Sequence, residues 1–216
     1  MAYQIYLVRH GRTWYNIYQK MQGWSDTPLT DDGIEVAKKA AEALKNVDFA
    51  AALTSDMKRS IDTYRIITDK NQNNLTPQEM PEFREQFYGY YEGRDIDESW
   101  TDIGKAHHAK DYVQIVQDHG FDATMDFVKE ADPLHYAENA KEYWDRIDQG
   151  FKKIDKFAKD GDKILLVTHS TTILGLAFKY KAGDFEVDQV PSNASLTMLE
   201  RDNGINRVTK YNQSLL

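Results

Sequence analysis

The chain has no cysteine at all, which excludes a disulfide framework, a thiol nucleophile and thiolate metal sites together. Long apolar runs are missing too. No stretch approaches the roughly 18 residues needed to cross a bilayer, and a first strand expected from about residue 3 leaves no room for a signal peptide before it. The expectation is a soluble, cytoplasmic protein, in which the Asn-x-Ser triplets at 193–195 and 212–214 are chance matches. Cations are the minority, 27 against 35 acidic residues for a formal charge of −8. No nucleic-acid or membrane partner is therefore expected. There is no Gly-x-x-x-x-Gly-Lys loop, no Gly-x-Gly-x-x-Gly and no Gly-x-Ser-x-Gly elbow, so the nucleotide-loop, dinucleotide and acyl-hydrolase readings lack their anchors. Repeats, linkers and low-complexity tracts are absent as well.

What is present is an ordinary globular composition, 216 residues with 41% apolar and 12% aromatic, which suits one domain, 1–216, carrying an elaboration. The most informative stretch is 5–16. Ile5 to Val8 reads as a buried parallel strand, broken by Arg9, His10 and Gly11 before Thr13 caps a helix. Ligands of open α/β sheets bind beyond such strand ends, where a helix N-terminus offers free N–H groups to an anion. Arg9 brings a planar fork suited to phosphate, and His10 a nucleophile or proton carrier near neutral pH. A second apolar strand, 163–168, ends the same way at His169, with Ser170, Thr171 and Thr172 opening a helix. Between them, Thr30 caps a helix through about Leu44, Phe49–Leu53 is a short strand, and 57–68 is helical, which puts Arg59 in a first turn just past a strand end. A weak third strand is expected over 76–80. The 138–158 segment carries a stripe of Tyr143, Ile147, Phe151, Ile154 and Phe157, and the chain closes on a hairpin about Asn203-Gly204.

Leu-Val-Arg-His-Gly-x-Thr-x-x-Asn at 7–16 resembles the signature of the histidine phosphatase superfamily, the branch of cofactor-dependent phosphoglycerate mutases and their phosphatase relatives. The resemblance extends to Pro28-Leu29-Thr30 with Gly33, and to Ser55-Asp56-Met57-Lys58-Arg59, where the family places a phosphate-binding Arg. It implies a three-layer α/β/α sandwich with a mostly parallel sheet and a helical cap insertion, about 94–137, that selects the substrate. The family's proton donor aligns with Glu85, in an aromatic-rich stretch able to raise its pKa; Glu92 competes for the role. Tyr88, in the same stretch, is offered to the substrate. Gln22 and Gly23, in a loop over the site, are offered to the substrate with Asn16. The family expects Gly after the second His, so Ser170 is a departure that keeps a backbone N–H, adds a hydroxyl and narrows the pocket. Lys105, His107 and His108 in the cap are set against the far end of an anionic substrate, although a solvated helix face is the more ordinary reading of them.

The chemistry so implied is in-line attack by neutral His10 on a phosphomonoester, protonation of the leaving alkoxide by Glu85, and hydrolysis of the phosphohistidine with Glu85 as base. Arg9, Arg59, Asn16, His169 and the helix N-termini, with Ser170 and Thr171, hold the phosphoryl oxygens. The scheme needs no metal and no cofactor, and its partner is a small phosphorylated metabolite. Asp95-Ile96-Asp97 faintly resembles an aspartyl phosphatase motif but follows Gly93-Arg94 and not an apolar strand. Phosphoryl transfer within a sugar acid, as in a mutase, is the alternative, disfavoured by the lack of paired arginines in the middle region. A non-catalytic phosphate-binding module is the third reading. Oligomeric state is open.

Overall fold

The computed structural model describes residues 1–215. A six-stranded sheet runs in the order β3-β2-β4-β1-β5-β6, with β1 at Ala2–Arg9, β2 at Ala51–Thr54, β3 at Gln78–Glu79, β4 at Lys163–Thr168, β5 at Leu196–Asp202 and β6 at Ile205–Gln213. The first four strands in that order pair in parallel and the last two antiparallel. Strands β1 and β4 are central and covered on both faces, which is why their sequences are almost continuously apolar. Their register, Leu7 opposite Leu166 and Arg9 opposite Thr168, sets His10 beside His169 at the same edge.

Side chains alternate across the sheet into two cores. On one face Ile5, Leu7, Ile164 and Leu166 pack with Tyr143, Ile147 and Phe151 of α7 (Ala140–Ile154) and Ile173 and Leu176 of α8 (Ser170–Tyr180). On the other, Val8, Leu165 and Val167 pack with Ala41 and Leu44 of α2 (Asp31–Leu44) and Tyr64 and Ile67 of α3 (Lys58–Thr68). Two helical layers about one sheet make the three-layer α/β/α sandwich. A third cluster, including Met21, Tyr91, Trp100, Ile103, Ile115 and Val128, lies under α4 (Ile96–Gly104), α5 (Tyr112–His119) and α6 (Phe121–Ala131). The middle region is thus helical with a core of its own.

Three local expectations are corrected. The second strand begins two residues later than expected, and the third shrinks from 76–80 to Gln78–Glu79, an exposed edge pairing with β2 only at Leu53 and Thr54. Phe157, expected on the α7 stripe, falls beyond the end of the helix and is 38% exposed, because the chain turns away before the next period. The hairpin forms where expected, with Asn203 at φ 49° and Gly204 at φ 84° supplying the left-handed pair that a two-residue turn requires.

Candidate active site

The loop leaving β1 is held from several sides. Thr13 caps the single turn α1 (Trp14–Ile17) in a reciprocal capping box with Asn16. The Gly11 amide donates to Thr63 Oγ1 on α3 at 2.8 Å, and Asn193 Nδ2 donates to the His10 carbonyl at 2.9 Å. Thr30 caps α2 through the Gly33 amide, and Gly33 sits against the Arg12 backbone so closely that a Cβ would collide with it. The glycine lets α2 press on the loop that carries His10.

His10, Arg59 and His169 are brought together and buried, at 3%, 0% and 0% exposure. His10 Nδ1 lies 2.8 Å from the Gly11 carbonyl, which can only accept, so Nδ1 carries the proton and Nε2 keeps its lone pair. Arg59 Nε donates toward that Nε2 at 3.3 Å, and its Nη2 donates to His169 Nδ1 at 3.0 Å. His169 therefore carries its proton on Nε2 and gives it to Ser55 Oγ at 2.7 Å. Burial, reinforced by the Arg59 charge, holds both imidazoles well below the usual histidine range and keeps them neutral. The remaining Arg59 N–H groups go to the Gly23 and Ser25 carbonyls and to Asp26. The acids of its own segment are engaged by other cations, Asp56 by Arg84 and Asp62 by Lys58.

Beside this triplet opens a cavity of about 590 Å³ whose wall includes Arg9, Asn16, Gln22, Glu85, Ser170 and Thr171. His10, Arg59 and His169 are not among the residues that line it. Arg9 donates to the Pro191 carbonyl at 2.6 Å, while its buried Nε has no partner among the described residues. Burial lowers its pKa to about 10, leaving it cationic at neutral pH. Asn16 accepts from the Thr13 amide through Oδ1, which leaves its NH2 for the cavity. Gln22 is tied to Thr13 and Thr27, and Tyr88 to Thr171 at 3.0 Å. Gly23 turns away from the cavity: its carbonyl holds Arg59 and its amide donates to Glu92.

Glu85 is 3% exposed and burial raises its pKa against the pull of three donors. The Thr171 amide (2.8 Å) and Ser170 Oγ (3.1 Å) reach Oε2, and the Gln86 amide (3.1 Å) reaches Oε1. The Ser170 hydroxyl thus contacts the carboxyl of Glu85, at the first turn of α8. Glu92, the competing carboxylate, is taken up by the amides of Gly23, Trp24, Ser25 and Tyr88 and anchors the loop over the site.

The cap residues Lys105, His107 and His108 stand away from the cavity. His107 stacks on Phe127 with centroids 3.3 Å apart and meets Glu130 at 3.0 Å, in a separate cleft with Lys105. None of Lys105, His107 and His108 lines the cavity next to Glu85; the cap's approach to the cavity is made by Trp100, Lys110 and Tyr112 instead, because α4 and α5 turn other faces inward. Sequence reasoning also missed Arg146, which binds the carbonyls of Glu82, Arg84 and Glu85 as well as Glu138. An Arg flanking the apolar stripe of α7 looks like any solvated helix position, so no local signal marked it. Asn193, in a loop before β5, was equally silent.

A solved phosphoglycerate mutase from Bacillus anthracis str. Sterne superposes with a TM-score of 0.85 at 28% identity, covering 99% of this chain and 94% of that one. A mycobacterial glucosyl-3-phosphoglycerate phosphatase shares the fold, with a TM-score of 0.67 at 21% identity over 98% and 99% of the two chains. A probable phosphoglycerate mutase of Yersinia pestis (strain Pestoides F) is 40% identical over 94 residues, 44% of this chain, and the match spans 43% of that protein's length. The model of the histidine phosphatase superfamily (branch 1) matches residues 5–214, and this chain belongs to that superfamily.

Proposed function

We propose that the protein is a phosphomonoester hydrolase working through a phosphohistidine on His10, with Glu85 as proton donor. The observation that carries this reading is the His10 tautomer: with Nδ1–H committed to the Gly11 carbonyl, Nε2 is an unprotonated nucleophile at neutral pH. Nε2 attacks phosphorus in line and the bond to the ester oxygen breaks. A phosphoryl oxygen replaces Nε2 as acceptor of the Arg59 Nε–H, which releases the lone pair for attack. Arg9 and Asn16 hold further oxygens from the cavity side, with Ser170 and Thr171, and His169 stays fixed between Arg59 and Ser55. Glu85, whose pKa burial raises, gives a proton in its acid form to the leaving alkoxide and then takes one from the water that cleaves the phosphohistidine. Positioning and electrostatics supply most of such a catalysis.

The region 94–137 acts in this proposal as a cap on a single domain, and the substrate is a small phosphorylated metabolite. No helix of the described residues is long and apolar enough to cross a membrane, and the location in this proposal is the cytoplasm. The likeness to phosphoglycerate mutases favours one second reading, in which the phosphohistidine passes its phosphoryl group to another hydroxyl of a bound sugar acid. Phosphate release from a panel of phosphomonoesters in excess EDTA, with His10→Asn alongside, separates the two. Release that survives chelation and vanishes in the variant is expected. Isomerisation of a phosphoglycerate without net release would replace the hydrolase by the mutase.

A further inference from the structure

Resting on the hydrolase reading, we infer that the substrate is the phosphate ester of an uncharged, largely apolar alcohol, and not of a sugar acid. The leaving group has to lie beyond Glu85, since that carboxyl must reach its oxygen. The cavity wall that holds Glu85 also includes Met21, Ile96, Trp100, Tyr112, Leu174 and Val190. A volume of about 590 Å³ falls in the range of sites that enclose a whole organic ligand, so a phosphate on Arg9 leaves most of it for the alcohol.

Charge decides between an apolar and an anionic alcohol. Besides Arg9, the cations of the wall are Lys20 and Lys110, and its acids are Glu85, Asp97 and Asp111. Lys20 is further paired with Asp95 at 3.6 Å. A carboxylate on the leaving group would meet no excess of positive charge, and in the most apolar part of the wall it would lose hydration without compensation. The Tyr112 and Tyr88 phenols are held above the usual tyrosine range by burial, so neither contributes charge. The wall is also stiff. Trp100 is 8% exposed and meets Tyr112 edge to face, with centroids 4.9 Å apart. Trp100 belongs to the cluster that fills the cap, and Tyr112 packs against it. A preformed apolar wall binds an apolar group at small ordering cost.

The test compares kcat/KM for 2-phenylethyl phosphate, glycerol 3-phosphate and 3-phosphoglycerate, whose alkyl leaving groups all need a proton, with p-nitrophenyl phosphate as a common control. We expect 2-phenylethyl phosphate to exceed 3-phosphoglycerate by about tenfold or more, in keeping with burial of one ring. Trp100→Ala, checked for folding by near-UV circular dichroism, should bring that ratio toward unity. Should Trp100→Ala not fold, Val113→Lys serves in its place. Val113 lines the same cavity at 59% exposure, and the added cation should shift the ratio toward 3-phosphoglycerate by several-fold. A wild-type preference for 3-phosphoglycerate, or a ratio unmoved in a folded variant, overturns the inference. If p-nitrophenyl phosphate is hydrolysed in a His10-dependent way while 3-phosphoglycerate is preferred, only the substrate class falls. If no ester is hydrolysed, the hydrolase reading falls and this inference with it.

Discussion

Glu85 and Ser170 carry the sharpest consequences of single side chains. In Glu85→Gln, alkyl phosphates should be hydrolysed about 10²–10⁴-fold more slowly, the usual worth of a positioned acid. Much of the rate should return with a nitrophenyl leaving group, which departs without a proton. Equal losses on both would remove the acid role. Because burial raises the Glu85 pKa, kcat/KM for an alkyl phosphate should fall as pH rises through that raised value. Ser170 donates to Oε2 and so favours the carboxylate. In Ser170→Ala the alkaline limb should move to higher pH, by up to about one unit if this bond to a charged acceptor contributes about 1.5 kcal/mol. A limb that stays in place would mean that the hydroxyl does not act on Glu85.

At the scale of the element, α2 shows how a helix far from the reacting atoms supports them. Its cap, Thr30 to the Gly33 amide at 3.0 Å, is worth about 1 kcal/mol. Thr30→Ala should therefore lower the melting temperature by about 2–4 °C for a chain of this size and leave phosphate release largely intact. Gly33→Ala should do more. Its Cβ would run into the Arg12 backbone, so α2 or the loop after His10 must shift, and a misplacement of about 1 Å at a reacting centre can cost about 10²-fold in rate. Thermal melts together with initial rates on both variants separate the cap from the close approach. A Gly33→Ala protein as active as Thr30→Ala would show that the contact does not position His10.

For the whole molecule, two neutral imidazoles in the core link folding to pH. His10 and His169 have folded pKa values well below the ordinary 6.5. Between 6.5 and those values the unfolded chain holds protons that the folded one does not, so stability present above 6.5 is lost as pH falls. Two such groups give at most about 2.8 kcal/mol per pH unit. Glu85 has the opposite sign. Its folded pKa is raised above 4.5, so its contribution is fully present below 4.5 and lost as pH rises through the folded value. Where all three titrate together, the net slope is about 1.4 kcal/mol per pH unit toward instability in acid. Chemical denaturation at pH 7.5, 6.5 and 5.5 should show this fall, and His169→Gln should flatten it; an unchanged slope would mean that the histidine is protonated in the fold.

Much of this was legible in the chain itself, for reasons that are local. An apolar run cut off by Arg9-His10-Gly11, and another ended by His169, report strands buried on both faces and halted at a polar edge. Thr13, Thr30 and Asn203-Gly204 report caps and a turn that depend on neighbouring residues alone. What needed the tertiary structure is what comes from distant parts of the chain. The register of β1 on β4 sets the histidines side by side, and the tautomers follow from carbonyls and hydroxyls contributed by other loops. Arg146 reaches the backbone of Glu85 from α7. Ser170 faces a carboxyl far away in sequence, and Trp100, not His107, turns toward the cavity. A residue's type declares its chemistry, but its partner, its burial and therefore its pKa are set by segments that meet only when the sheet closes.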